Sequence, residues 1–495
     1  MDILTSLVVV PVLTVLALFF AKDLRQARTW AAIGTGIELL LAIWLTVWYL
    51  QLRGAGHTEE MLFMRDVLWF KSLNIHYAIG VDGISVALIL LTAIVLFAGV
   101  FISWHMQELS KEFFISLIVL GTGVFGFFIS LDLFTMFLFY ELAVIPMYLL
   151  IGIWGTGPRE YAAMKLTLML MAGSAFLLVG ILGLYFNSAP EGGQLTFNIL
   201  EIARLDLPMN MQRFLFPLIF MGFGVLGALF PFHTWSPDGH ASAPTAVSML
   251  HAGVLMKLGG YGAFRVAMYL LPAAAAEMSW IFIILTAISV LYGAFGALRQ
   301  TDLKYINAYS SVSHCGLVLF AVLMLNKTSF DGAVLQMLSH GLMTALFFAL
   351  IGMLYERMHT RDIYKMGGLM KVLPVISSVY VIAGLASLGL PGLSGFVAEM
   401  TIFVGAFQHE DLFYRIAVIG SVSAIVVTAV YILRAVGIML MGPLKNPAFA
   451  DLPKAAWQER LGILLLLVPI AGMGMFPGWL SDMIMNSLDH IVAKF

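Results

Sequence analysis

Runs such as 86-VALILLTAIVLFAGVFI-102 and 133-LFTMFLFYELAVIPMYLLIGIW-154 recur along the whole chain, apolar on every face. About 20 helical residues cross the hydrocarbon core of a bilayer, so each such run is a candidate membrane helix. About fourteen spans are predicted on this length rule: 3–20, 30–51, 80–103, 112–130, 133–153, 163–186, 212–232, 246–271, 276–298, 303–325, 331–356, 372–407, 413–440 and 460–478. Outer-membrane strands would alternate apolar and polar residues, which these runs do not do. Only 11% of residues are charged, against about 25% in soluble domains. The expected fold is therefore an all-α polytopic membrane protein.

Composition narrows the function by exclusion. One cysteine, Cys315, cannot build a disulfide framework or a self-contained cysteine-ligated iron–sulfur cluster. No P-loop or GxGxxG motif stands at a strand–helix junction. The histidines lack metal-ligand spacing, and no nucleophile–base pair is readable. A net charge of −2 without long basic runs argues against nucleic acid. The first span lacks a basic leader and an A-x-A-like cleavage site, and is read as retained. With loops numbered by the span they follow, the odd ones hold roughly twice the Lys and Arg of the even ones and termini. That places the odd loops in the cytoplasm of a bacterial-type inner membrane and both termini outside.

Two segments interrupt the helical pattern, 229-LFPFHTWSPDGHASAP-244 and 388-LGLPGLSG-395. Proline removes a backbone donor and clashes with the preceding turn. In a membrane such irregular backbone survives only inside protein or beside a water-filled cavity. If 112–271 and 272–440 are two five-helix units, each break falls in or just after a fourth helix. Five is odd, so the second unit is inverted, flanked by N-terminal helices 1–3 (1–111) and a C-terminal loop and helix (441–495). Paired broken helices in inverted repeats point to a transport path near the midplane.

Ionisable residues at bilayer depth are costly and mark ion or proton paths. Glu141 stands in one apolar span, with Pro146 opening the backbone beyond it. Lys257 lies too deep for easy snorkelling, while His251, six positions away, is off its face and directed to a neighbouring helix. Lys304, Asn307, Ser311 and His314 make one polar stripe about 15 Å long, the form of a wetted half-channel. His340 has Thr344 one turn on and could bridge the lysine helices to Glu399. Glu399 follows the second break, with Gly392 and Gly395 placed on its face. A fixed ion pair or hydrogen bond between helices is the structural alternative for each acid and lysine, and a packed core position for each histidine.

The chain resembles the cation/proton antiporter-like membrane subunits of proton-pumping NADH:quinone oxidoreductase (complex I). The resemblance rests on 80-GVDGISV-86, 139-FYELAVIPMYLLIGIWG-155, 231-PFHTWSPDGHASAPTAVSMLHAGVLMKLGGYG-262, 302-DLKYINAYSSVSHCG-316, 335-LQMLSHGLMTALFF-348 and 388-LGLPGLSGFVAE-399. Glutamate at the last position favours the M type over the L and N types, which carry lysine. The resemblance implies fourteen helices in paired inverted repeats and a polar axis through Glu141, Lys257, His314, His340 and Glu399. It also implies flavin (FMN), iron–sulfur clusters and quinone in partner subunits, none on this chain. Antiporter-like neighbours and a quinone-site subunit are the implied partners. One departure stands out: the family's broken-helix lysine, the partner of the acid at Glu141, is here Leu226. Lys165 or His233 is the candidate substitute; the alternatives are that Glu141 works without a paired cation or that this unit's proton input is altered or absent. The competing readings are an Mrp-type cation/proton antiporter component, the equivalent subunit of a membrane-bound hydrogenase or formate-linked complex, and a scaffold.

Overall fold

The computed structural model describes residues 2–189 and 193–495. Helices α1 (Ile3–Phe19) and α2 (Leu24–Gly54) lead into a hairpin of β1 (Leu62–Phe70) and β2 (Ile75–Val81). Helices α3 (Gly83–Ile102), α4 (Ser110–Ile129), α5 (Leu133–Trp154) and α6 (Arg159–Phe186) follow. After the helical turn α7 (Ile199–Ile202) comes the first interrupted helix, α8 (Met209–Leu226) and α9 (Trp235–Ser242). The Lys257 helix is α10 (Thr245–Leu250) and α11 (Met256–Gly262), joined and continued by π-helical turns His251–Leu255 and Ala263–Met268. Next are α12 (Pro272–Arg299), α13 (Leu303–Val322), α14 (Lys327–Met358) and the short α15 (Leu369–Val372). The second interrupted helix is α16 (Pro374–Ser387) and α17 (Ser394–Phe407), before α18 (Leu412–Leu440), α19 (Trp457–Met475) and α20 (Gly478–Val492).

Among the described residues ten helices are long and apolar enough to cross a membrane, and α1, α16 and α17 are shorter apolar helices. The chain is a multi-pass membrane protein. The predicted spans find helices, with three differences. The span 212–232 stops earlier, at Leu226, because the chain unwinds over 227–234 with Ala228 at φ 55°, before α9 interrupts the predicted break. The span 246–271 is α-helical only in part. Lys257 sits between its two π-helical turns, a distortion often found at functional sites. The hairpin and α20 were not anticipated. They cap one face, where the Gly83 N–H donates to Ser487 Oγ at 2.7 Å.

The two halves share contacts at a constant offset of 170 residues. Gly123 presses on the backbone of Phe139 and Ala143, and Gly293 on that of Tyr309 and Ser313. Gly126 meets the ring of Phe139, and Gly296 that of Tyr309. Asp132 caps α5 through the N–H groups of Phe134 and Thr135, as Asp302 caps α13 through those of Lys304 and Tyr305. Just after each capping aspartate, a backbone pair ties the helix start to a later loop: Leu133 N to Phe197 O, and Leu303 N to Arg361 O. The glycines let helix backbones touch, the usual means of close packing in membranes. Helix α14 is buried throughout its membrane window and forms the centre of the bundle.

Candidate proton-relay site

The α10–α11 helix, α13, α14 and the second break meet around Lys257. Gly253 and Gly341 set the spacing: a Cβ on either would press on the carbonyl oxygen of the other. Gly259 packs as closely on Phe223 O and Gly227 N, where α8 ends. These contacts hold the lysine against α14. Lys257 Nζ donates to Ala252 O at 2.5 Å and lies 2.8 Å from His340 Nδ1. The remaining side of Lys257 borders a cavity of about 10 Å³, roughly one water, lined by Gly227, Gly260, Cys315 and Met337 among others.

From His340 the polar contacts continue. His340 Nε2 is 3.2 Å from Ser311 Oγ, which is 3.1 Å from Thr344 Oγ1. Asn307 Nδ2 donates to Thr344 Oγ1 at 3.3 Å. The predicted stripe on α13 thus turns inward onto α14, and its outer end, Lys304, donates to Ala243 O at 2.5 Å in the first break. The rings of His314 and His340 stack with centroids 5.2 Å apart. His314 Nδ1 lies 3.5 Å from Glu399 Oε1 and 3.0 Å from Gln336 Nε2, while its Nε2 is 3.4 Å from Ser387 Oγ. Lys257, Lys304, His314, His340 and Glu399 are all buried.

The glycine that makes room for Glu399 is not the expected one. Helix α17 begins at Ser394, so Gly392 lies before the helix, and Gly395 instead packs on Ala386 O. Gly389, at φ +65°, faces the carboxylate, where a Cβ would sit 3.0 Å from Oε2.

Glu141 is separate from this constellation. It is half-buried on α5, beside Ser174 of α6, and among the described residues makes no ion pair. The substitutes expected for the missing lysine do not reach it. Lys165 lies nine residues from Ser174 along α6, about 13 Å away, and bonds Asp238 Oδ2 at 2.7 Å. His233 stacks on Phe230 and meets Tyr292 edge-to-face. Leu226 is fully buried at the end of α8. His251 does turn from Lys257 to its neighbours, stacking on Trp235 and lying tilted against His240, 4.2 Å between centroids.

Several participants were missed in the sequence. Gln336 stands four residues before His340 on the same helix face, and Ser387 immediately precedes the second break, so spacing could have suggested both. Asp238, shared by Lys165 and the Tyr305 hydroxyl at 3.1 Å, lies within the first break, where no helical spacing ties it to a partner. Glu38 on α2 and Arg265 beyond Lys257 are buried ionisable groups that the same bilayer-depth rule would have flagged.

Comparison with known proteins follows the same direction. The sequence profile of the NADH:quinone oxidoreductase/Mrp antiporter transmembrane family matches residues 130–426. NAD(P)H-quinone oxidoreductase chain 4-2 of Synechocystis sp. is 37% identical, over 87% of this chain and 76% of that protein. NADH-quinone oxidoreductase subunit M of Rickettsia typhi is 31% identical, over 100% and 99%. Among solved structures, a chain of respiratory complex I from Thermus thermophilus shares the fold at TM-score 0.89 and 24% identity, covering 99% of each chain. A chain of the Mrp complex from Dietzia sp. does so at 0.86 and 18%, covering 99% of this chain and 98% of that one. The chain therefore belongs to the NADH:quinone oxidoreductase/Mrp antiporter family, and the relatives named above are subunit M and chain 4 proteins.

Proposed function

We propose that this chain is a proton-translocating membrane subunit of a respiratory NADH:quinone oxidoreductase. The observation that carries this reading is the buried polar chain from Lys257 through His340 to His314 and Glu399, lying against the second break. A lysine at 2.8 Å from an imidazole can hand over a proton and recover it. The imidazole has two nitrogens, so a proton accepted at Nδ1 is matched by one released at Nε2, beside Ser311 Oγ, toward His314. His314 passes it to Glu399, with the 5.2 Å step between the histidine rings covered by reorientation or one water. Redox chemistry with FMN, iron–sulfur clusters and quinone belongs to partner chains, and this chain supplies the switchable charges.

The same reading divides the chain at 112–271 and 272–440 into inverted repeats, supported by the contacts offset by 170 residues. It places the odd loops in the cytoplasm of a bacterial-type inner membrane and both termini outside. Antiporter-like neighbours and a quinone-site subunit are its partners. Subunits of Mrp antiporters share the fold, but the cited relatives above 30% identity are quinone oxidoreductase subunits, which favours the respiratory complex.

The test is proton pumping per NADH oxidised in membrane vesicles from wild type and Lys257→Ala. Loss of pumping together with slowed NADH oxidation is the expected outcome. Unchanged pumping in a fully assembled complex would remove Lys257 from the path and leave the scaffold reading.

A further inference from the structure

The helix that carries Lys257 repeats large polar side chains at one-turn intervals: Lys257, Tyr261, Arg265 and Tyr269, all buried. Residues four apart lie on one face. Helical side chains lean toward the N-terminus, so Tyr261 leans toward Lys257 and Arg265 toward Tyr261. Twelve residues advance at most about 18 Å, somewhat less through the π-helical turn Ala263–Met268, close to the distance from mid-bilayer to one surface of a core about 30 Å thick. The surface reached is the one capped by the β-hairpin and the C-terminal residues.

A line of contacts with neighbouring elements follows this row. The Tyr261 hydroxyl lies 2.9 Å from Ser85 Oγ and 3.5 Å from Phe128 O. Ser85 Oγ donates to Asp82 Oδ1 at 2.9 Å. Asp82 Oδ2 accepts from Arg265 Nη2, a pair in which both side chains are 1% exposed. Arg265 Nη1 is 4.0 Å from Glu60 Oε1, and Glu60 accepts from the Tyr269 hydroxyl. Tyr269 in turn lines an open cavity of about 480 Å³ with Arg204, Gln212 and Lys494. The chain from Lys257 to Glu399 uses none of these residues. Asp82 also caps α3 through the Ser85 N–H at 2.9 Å, so cap and ion pair together lock the two helices; neither needs the Tyr261 hydroxyl, one turn from Lys257, to reach Ser85 Oγ.

The geometry points to a second outlet from Lys257, toward the hairpin face through Tyr261, Ser85 and Asp82, independent of Glu399. It rests on the proton-translocating reading above. The Lys257 stem rotates away from Ala252 O, and its ammonium gives a proton to the Tyr261 oxygen as the phenolic proton passes to Ser85. The Ser85 proton passes to the Asp82 carboxylate, leaving Lys257 neutral. Asp82, now uncharged, releases Arg265 toward Glu60. Its proton then leaves to the cavity side, and Arg265 returns. Arg265 keeps its own protons throughout, since guanidinium does not deprotonate in proteins.

The test compares Tyr261→Phe, Ser85→Ala and Lys257→Ala in the intact complex in vesicles, reading proton release per NADH, its rate, and thermal stability. Tyr261→Phe keeps the ring and the ion pair, and Ser85→Ala removes one hydroxyl. Each is expected to remove part of the proton release per NADH at unchanged stability, the rest leaving through Glu399. If both release protons at the wild-type ratio to NADH while Lys257→Ala does not, the outlet is wrong and the translocating reading stands. If Lys257→Ala also releases protons normally, both fall. Should Tyr261→Phe fail to assemble, a wild-type ratio in Ser85→Ala overturns the outlet by itself.

Discussion

His314 Nδ1 is contested. Gln336 Nε2 can donate to it only when it carries no proton, and Glu399 can accept from it only when it does. The Gln336 Oε1 has no partner in the arrangement observed. Turning the amide over would let that oxygen accept from a protonated Nδ1, so Gln336 can serve either state of the ring. An apolar residue at 336 leaves the unprotonated ring without its donor and the protonated ring with Glu399 alone. Gln336→Leu is therefore expected to slow pumping several-fold at normal assembly, since one polar contact is worth about 1 kcal/mol. Gln336→Glu puts an acceptor-only group there and is expected to hold the proton on His314, slowing pumping as well. Pumping rates at the wild-type level in both variants would mean that His314 does not change partner.

Helices were legible in the sequence because twenty apolar residues in a row leave one plausible structure in lipid. The breaks were legible because proline and glycine cannot continue it. What hid was everything set by packing between elements: the π-helical turns around Lys257, the hairpin, and the role of Gly389 rather than Gly392. For the candidate site, the stripe on α13 was readable from spacing, whereas the contact of Lys257 with His340, 83 positions apart, was not. That contact depends on two glycines. A Cβ at Gly341 would sit 2.6 Å from Gly253 O, so Gly341→Ala must push α14 outward. Overpacking of this kind costs about 1–3 kcal/mol. The expected outcome is a lower melting temperature of the detergent-purified complex and weakened pumping, because His340 adjoins the displaced residue. Gly420 on α18 has nothing within 4 Å, and Gly420→Ala should leave melting unchanged or raise it, by up to about 1 kcal/mol of helix propensity. Equal melting of both variants would mean that the Gly253–Gly341 contact does not set the spacing.

Across the whole molecule the two halves are built alike but charged differently. The second half holds His314, His340 and Glu399, and the first lends Lys257 to the same polar chain. The first holds Glu141, half-buried and unpaired among the described residues, with Leu226 where the family resemblance calls for lysine. One helix, α6, links the position to the acid. Ser174 of α6 stands beside Glu141, and its neighbour Gly173 packs on Val225 of α8, next to Leu226. A lysine stem placed at 226 therefore comes within reach of Glu141 around α6. Leu226→Lys alone buries a cation in an apolar site unless the acid receives it. The double variant with Glu141→Gln removes that partner. A coupling of about 1 kcal/mol or more between the two substitutions is expected in a thermal-denaturation double-mutant cycle. Additivity within about 0.5 kcal/mol would mean that the two sites do not meet. In the native background Glu141→Gln is expected to weaken pumping less than Lys257→Ala, because no cation of this chain waits for the charge it loses. Equal loss would return Glu141 to the working path, with its partner supplied by a neighbouring subunit at the exposed α5–α6 face.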